Sequence, residues 1–107
     1  MEAQTDILFR SLADPRRRAI YESLARGGER TVRMLTEEAG ISQPAVSKHL
    51  AVLKSAGLVR FRPDGRQTHY SANRDALKPL AGWIGEYGAF WKDRFDDLED
   101  LLNRMDQ

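Results

Sequence analysis

The chain has 107 residues and no cysteine. Without a thiol there is no disulfide framework, no thiolate metal site and no thiol redox switch. Long apolar runs are missing too. None approaches the ~20 residues that cross a bilayer, and the first residues lack the apolar core of a secretory leader. The expectation is a cytoplasmic protein without a membrane partner. Only two histidines occur, and neither His49 nor His69 has carboxylate or cysteine neighbours at metal-ligand spacing, so no metal site is expected. There is no Gly-rich phosphate loop and no Ser/His/acid set whose spacing demands catalysis, which excludes an enzyme and a cofactor on present signals. Repeats, low-complexity tracts and linkers are also missing, so residues 1–107 read as a single domain.

What is present is an uneven charge distribution. The formal net charge is +1, yet residues 1–74 carry 13 Lys/Arg against 8 Asp/Glu, and residues 75–107 carry 4 against 8. Within 42–74 the ratio is 6 to 1. A basic region joined to an acidic segment that faces away suits a polyanionic partner.

The period of the apolar residues gives the elements. Ile7, Leu8 and Leu12 form a short stripe, predicting a helix over 4–13. Asp14-Pro15 restarts the chain with an N-cap and a proline at the first helical position. Ala19, Ile20 and Leu24 supply the buried side, and Gly27-Gly28 the stop. Thr31 caps a third helix to Ala39, with Leu35 and Ala39 inward. After the turn Gly40-Ile41-Ser42, a fourth helix runs over 42–56, with Val46, Leu50 and Leu53 on one stripe. Two helices joined by a short Gly-containing turn form a helix-turn-helix.

The period then changes to two. Val59-Arg60-Phe61-Arg62 alternates as a half-buried strand, Pro63-Asp64-Gly65 is turn chemistry, and Thr68-His69-Tyr70-Ser71 returns. This is a two-stranded wing over 58–72. The expected fold is mainly α with a small β-hairpin, a winged helix-turn-helix of five helices.

From Ala76 the helical period resumes through Leu77, Leu80, Ile84, Tyr87, Trp91, Phe95, Leu98, Leu102 and Met105. Trp83 and Phe90 add a second stripe. So wide an apolar face in so small a chain calls for a second copy, although packing on the chain's own helices is the alternative. The expected homodimer interface uses the segments 1–13 and 75–106, with Leu8, Leu12, Trp83, Ile84, Tyr87, Phe90, Trp91, Phe95 and Leu98. Gly82, Gly85 and Gly88 weaken this helix by about 1 kcal/mol each relative to Ala, which leaves two readings open: a close helix crossing, or a kink or frayed stretch near Gly88.

The face of the fourth helix opposite its stripe holds Gln43, Pro44, Ser47, Lys48 and Ala51, small and polar enough to enter the major groove of double-stranded DNA. Arg60, Arg62, Arg66 and Gln67 place positive charge on the wing, beside a minor groove or backbone. A solvated helix face and a charge-protected edge strand are the plainer readings. Arg16, Arg17 and Arg18 oppose the dipole of the helix they begin. A phosphate docked at Arg17 would resolve this, as would ion pairs with Asp14 or Glu22. Asp93, Asp96, Asp97, Glu99 and Asp100 read as a solvated acidic face.

Residues Ser42 to Val59, with the core Ser47-x-His49-Leu50-x-x-Leu53 followed by Ala56-Gly57-Leu58-Val59, closely resemble the recognition helix of the ArsR/SmtB family of bacterial repressors. Leu12 to Ile20 is similar to that family's second-helix entry, and Gly65-Arg66 before Tyr70 to its wing. The ending Trp83…Phe90-Trp91…Arg94-Phe95…Leu98 resembles a metal-independent subgroup. The resemblance implies a homodimeric repressor on an inverted-repeat operator. It places Gln43, Pro44, Ser47, Lys48 and His49 on the DNA-reading helix, with His49 also able to support that helix from behind. The cysteines of metal-sensing members are missing from Val32-Arg33-Met34-Leu35-Thr36, and no histidine follows His69. Two other readings stay open: a winged-helix module whose basic face docks a protein, and a repressor released by an effector that the sequence does not identify.

Overall fold

The computed structural model describes residues 3–106; Met1, Glu2 and Gln107, which the expected 1–13 segment and 1–107 domain include, lie outside the described residues. The order is α1 (Gln4–Ala13), α2 (Pro15–Gly27), β1 (Arg30–Thr31), α3 (Val32–Ala39), α4 (Gln43–Ser55), β2 (Val59–Asp64), β3 (Gln67–Ala72), a 3-10 turn (Arg74–Leu77) and α5 (Lys78–Met105).

Local chemistry sets these boundaries. The Asp14 carboxylate accepts the N–H groups of Arg16 and Arg17 at 3.0 and 3.1 Å, satisfying two donors that the first turn of α2 leaves open. Thr31 and Ser42 do the same for Met34 and Ala45. Between α3 and α4, Gly40 sits at φ +66° and donates its N–H to the Thr36 carbonyl, a left-handed cap that only glycine adopts freely.

The core gathers Leu8 of α1, Ile20, Tyr21 and Leu24 of α2, Leu35 of α3, Val46, Leu50 and Leu53 of α4, and Leu58 and Val59 at the start of the hairpin. Polar ties close its edges. The Gln4 side-chain amide donates to the Ala56 carbonyl at 3.2 Å. Asn73 returns the chain to the end of α4, its side-chain amide donating to the Gly57 carbonyl at 2.9 Å and its N–H to the Leu58 carbonyl at 2.8 Å.

The sheet differs from the expected two-stranded wing. It has three antiparallel strands in the order β1-β3-β2, with Thr31 opposite His69 and His69 opposite Arg62. The hairpin turn is also tighter. Asp64 pairs with Gln67, leaving Gly65-Arg66 as the two-residue connection and Pro63 inside β2. Glycine first in such a connection, here at φ +63°, is the pattern of a type II′ turn, whose twist matches the strands. Nor does β2 alternate in burial. Phe61 is exposed, 6.5 Å from the Tyr70 ring and with the Lys54 ammonium 3.8 Å above its own ring. Two further inward readings fail, since Ala19 and Ala39 are both exposed.

α5 is one unbroken helix through Gly82, Gly85 and Gly88, so of the two readings of these glycines the interruption near Gly88 does not occur. It buries none of its residues. At 28 residues it extends about 42 Å and contributes to a 63 Å long axis. Its aromatic stripe lies open: Trp91 is 59% exposed and Phe95 65%. Leu8, expected at a dimer interface, is fully buried inside its own protomer; consecutive helical residues point about 100° apart, and its neighbour Phe9 turns to α5 instead, edge-on to Trp83 at 5.2 Å. No helix among the described residues is long and apolar enough to cross a membrane.

Candidate nucleic-acid interface

α4 is held by its apolar stripe and presents its opposite face to solvent. Val46, Leu50 and Leu53 are buried, while Gln43, Pro44, Ser47, Lys48 and Ala51 are exposed. The structure therefore brings together four of these, Gln43, Pro44, Ser47 and Lys48, within the first two turns of a helix whose N-terminus carries partial positive charge. Lys48 makes no ion pair among the described residues, so its ammonium is available to an anion.

His49 belongs elsewhere. It is half-buried, and its Nδ1 is enclosed without a hydrogen-bond partner among the described residues. It also lies close enough to Asp14 to help hold that carboxyl below its ordinary range, behind the larger effect of the hydrogen bonds from the Arg17 and Arg16 backbone. His49 is thus partly enclosed by its own protomer, unlike the exposed side chains on the open side of α4.

Two of the three arginines at the start of α2 find partners that neither sequence reading supplied. Arg17 Nε donates to the Ser11 carbonyl at 2.7 Å, and Arg18 Nη1 to the Leu12 carbonyl at 2.8 Å. These carbonyls end α1, where the helix dipole favours cations. The charge that seemed misplaced on α2 is well placed on α1.

On the wing, Arg60, Arg66 and Gln67 are exposed, and the two arginines make no ion pair among the described residues. Arg62 does. Its Nη2 reaches Glu29 Oε1 at 2.7 Å and its Nε reaches Oε2 at 3.3 Å, with Asp64 at 3.9 Å. The bonded guanidinium holds the Glu29 carboxyl below its ordinary range, and Glu29 raises Arg62 in turn. Glu29 escaped the sequence reading because 33 positions separate it from Arg62 and no local pattern marks the pair.

The exposed stripe on α5 holds Trp83, Ile84, Tyr87, Phe90, Trp91, Phe95, Leu98, Leu102 and Met105 as read, joined by Leu101. Leu12 is partly buried against the core. Phe9, Trp83 and Tyr87 form a contiguous aromatic series, Phe9 edge-on to Trp83 and Trp83 tilted against Tyr87 with centroids 4.9 Å apart. The acidic side chains on α5 form no cluster suited to a metal, and no group of three or more metal-ligating side chains occurs among the described residues. A cleft between α2 and α3, lined by Ile20, Leu35, Ile41, Arg16 and Glu38, has a volume of about 220 Å³, small against the ~300 Å³ at which ligand pockets begin.

Residues 14–60 match the family described as "Bacterial regulatory protein, arsR family". The chain is 49% identical over 72 residues to the probable mercury resistance operon repressor of Streptomyces lividans, a match spanning 67% of this chain and 57% of that protein. It is 34% identical to the transcriptional repressor SdpR of Bacillus subtilis, over 72% of this chain and 84% of that one. Among solved structures it is similar to an ArsR-like transcriptional regulator from Rhodococcus sp. RHA1, with a TM-score of 0.71, 28% identity and 92% of each chain covered.

Proposed function

The chain belongs to the ArsR family of bacterial regulatory proteins, and on that premise we propose that it is a homodimeric repressor that binds an inverted-repeat operator without a metal ion. The chain is a DNA-binding transcriptional regulator with a winged helix-turn-helix fold, not an enzyme.

One observation carries the proposal. α4 exposes Gln43, Pro44, Ser47 and Lys48 on a face of small polar side chains, with nothing bulky to hold it out of a major groove. Gln43 suits bidentate pairing with adenine, and Ser47 a base or phosphate. Lys48, Arg60 and Arg66 supply backbone charge, and Gln67 adds a polar contact beside the wing tip. Arg17 and Arg62 are engaged by groups of their own chain, and His49 is partly enclosed, so these three are left out of the DNA-contacting set.

Dimerisation is supported by the stripe on α5. A monomer that leaves Trp83, Tyr87, Phe90, Trp91 and Phe95 about half exposed carries an apolar patch that a second copy would cover, and a two-fold pair of α4 helices then calls for a palindromic site. Independence from metal is supported by the donor set. The Streptomyces relative is named for mercury resistance, but these 107 residues include no cysteine and two histidines, which offers a soft metal no thiolate. A regulator of this kind works in the bacterial cytoplasm, on the nucleoid.

Sedimentation and nuclease footprinting on the DNA upstream of its own gene test the proposal together. A dimeric mass and two protected half-sites with centres ~34–36 Å apart are expected. A monomer, or protection of a single half-site, would contradict it.

A further inference from the structure

Arg62 is the one wing arginine held by carboxylates among the described residues. Glu29 stands immediately before β1, whose Thr31 pairs with His69 of β3, and His69 pairs across with Arg62 of β2. The Arg62–Glu29 pair therefore spans the whole width of the sheet and fastens the hairpin to the end of α2. His69 sits between the same two acids, with Nδ1 3.7 Å from Glu29 and Nε2 3.4 Å from Asp64. One guanidinium thus shares its surroundings with two carboxylates. A phosphate approaching Arg62 meets more negative charge than positive, whereas Arg60 and Arg66 carry no such screen. The two-point geometry also fixes direction as well as distance, because a planar guanidinium forks onto both oxygens of a carboxylate.

We propose that Glu29 is a positioning residue for DNA binding. Through Arg62 it sets the angle of the wing, so that Arg62 orients the hairpin while Arg60 and Arg66 dock on phosphate. This rests on the DNA-binding reading above and assigns to Arg62 a part opposite to the contact expected from its charge.

Exchanging the two charges separates the roles. Binding of the full-length protein to a duplex of its upstream DNA is measured by fluorescence anisotropy at several salt concentrations for the wild type, Arg62→Glu, Glu29→Arg/Arg62→Glu and Arg62→Gln, with Lys48→Ala as the reference for one lost phosphate contact. Arg62→Glu alone sets a third carboxylate beside Glu29 and Asp64 and weakens binding about tenfold. The double variant restores the pair in reverse and returns affinity to near wild type. Arg62→Gln leaves the salt slope unchanged, while Lys48→Ala lowers it by about one. A double variant as weak as Arg62→Glu, a single variant without effect, or a slope lowered by about one in Arg62→Gln would each overturn the proposal, and the last would place Arg62 on phosphate. If the wild type itself lacks salt-sensitive binding, the DNA-binding reading fails and takes this one with it, a result distinct from any change confined to the variants.

Discussion

Arg17 Nε donates a 2.7 Å hydrogen bond to the carbonyl of Ser11, so the first turn of α2 closes the last turn of α1. A charged donor on a buried carbonyl is stronger than a neutral one, and partial exposure reduces it. Arg17→Ala should lower the unfolding free energy by about 1 kcal/mol, measured by urea denaturation, with no change in the salt slope of DNA binding.

Asp14 gives the start of α2 a pH dependence. Hydrogen bonds from the Arg17 and Arg16 backbone, with the field of His49 and Arg17, hold its carboxyl below the ordinary value. The group therefore titrates lower in the folded chain than in the unfolded one. Its stabilising contribution is complete above an unfolded value of about 3.9 and is lost as pH falls through the folded value. Asp14→Ala should shift the urea midpoint down at pH 7 and leave a smaller difference from wild type at pH 3.

Leu53 is fully buried in the centre of the core, on the helix that carries the proposed DNA-reading face. Leu53→Ala removes its packing and leaves a cavity, at a cost of about 2–5 kcal/mol. Thermal unfolding should show the largest loss here among the variants named, and DNA binding should fall with it because α4 loses its support.

Tyr21 behaves differently from its neighbours in the core. Its hydroxyl is enclosed with no hydrogen-bond partner among the described residues, and burial raises its pKa against the opposing field of Arg74. Removing an unsatisfied buried hydroxyl without changing the ring's shape relieves a desolvation cost. Tyr21→Phe should leave stability unchanged or raise it by about 1 kcal/mol, read from the same urea titrations.

Much of the fold was legible because short-range chemistry governs it. The caps Asp14 and Thr31 and the Val46-Leu50-Leu53 stripe are each set by residues within a few positions, and each stands where the sequence placed it. What escaped depends on distant partners. β1 has two residues and no period to detect, so the third strand appears only once β3 pairs with it. Leu8 and Phe9 are both apolar and adjacent, and only the position of α5 decides that Leu8 goes inward while Phe9 meets Trp83. Phe61 fits an alternating strand, yet it stays exposed beside the Tyr70 ring and the Lys54 ammonium. Of the candidate site, the face of α4 was readable from its own helix. The commitments of Arg17 and Arg62 were not, because charge alone does not reveal a partner 6 or 33 residues away.

The most direct test of sequence-specific DNA binding compares the upstream duplex with a scrambled one by fluorescence anisotropy over a range of salt, with and without chelator. The expected result is tight, salt-sensitive binding that favours the upstream duplex and ignores the chelator. Equal, weak binding to both duplexes would contradict it and leave α4 and the wing as a basic surface without sequence recognition.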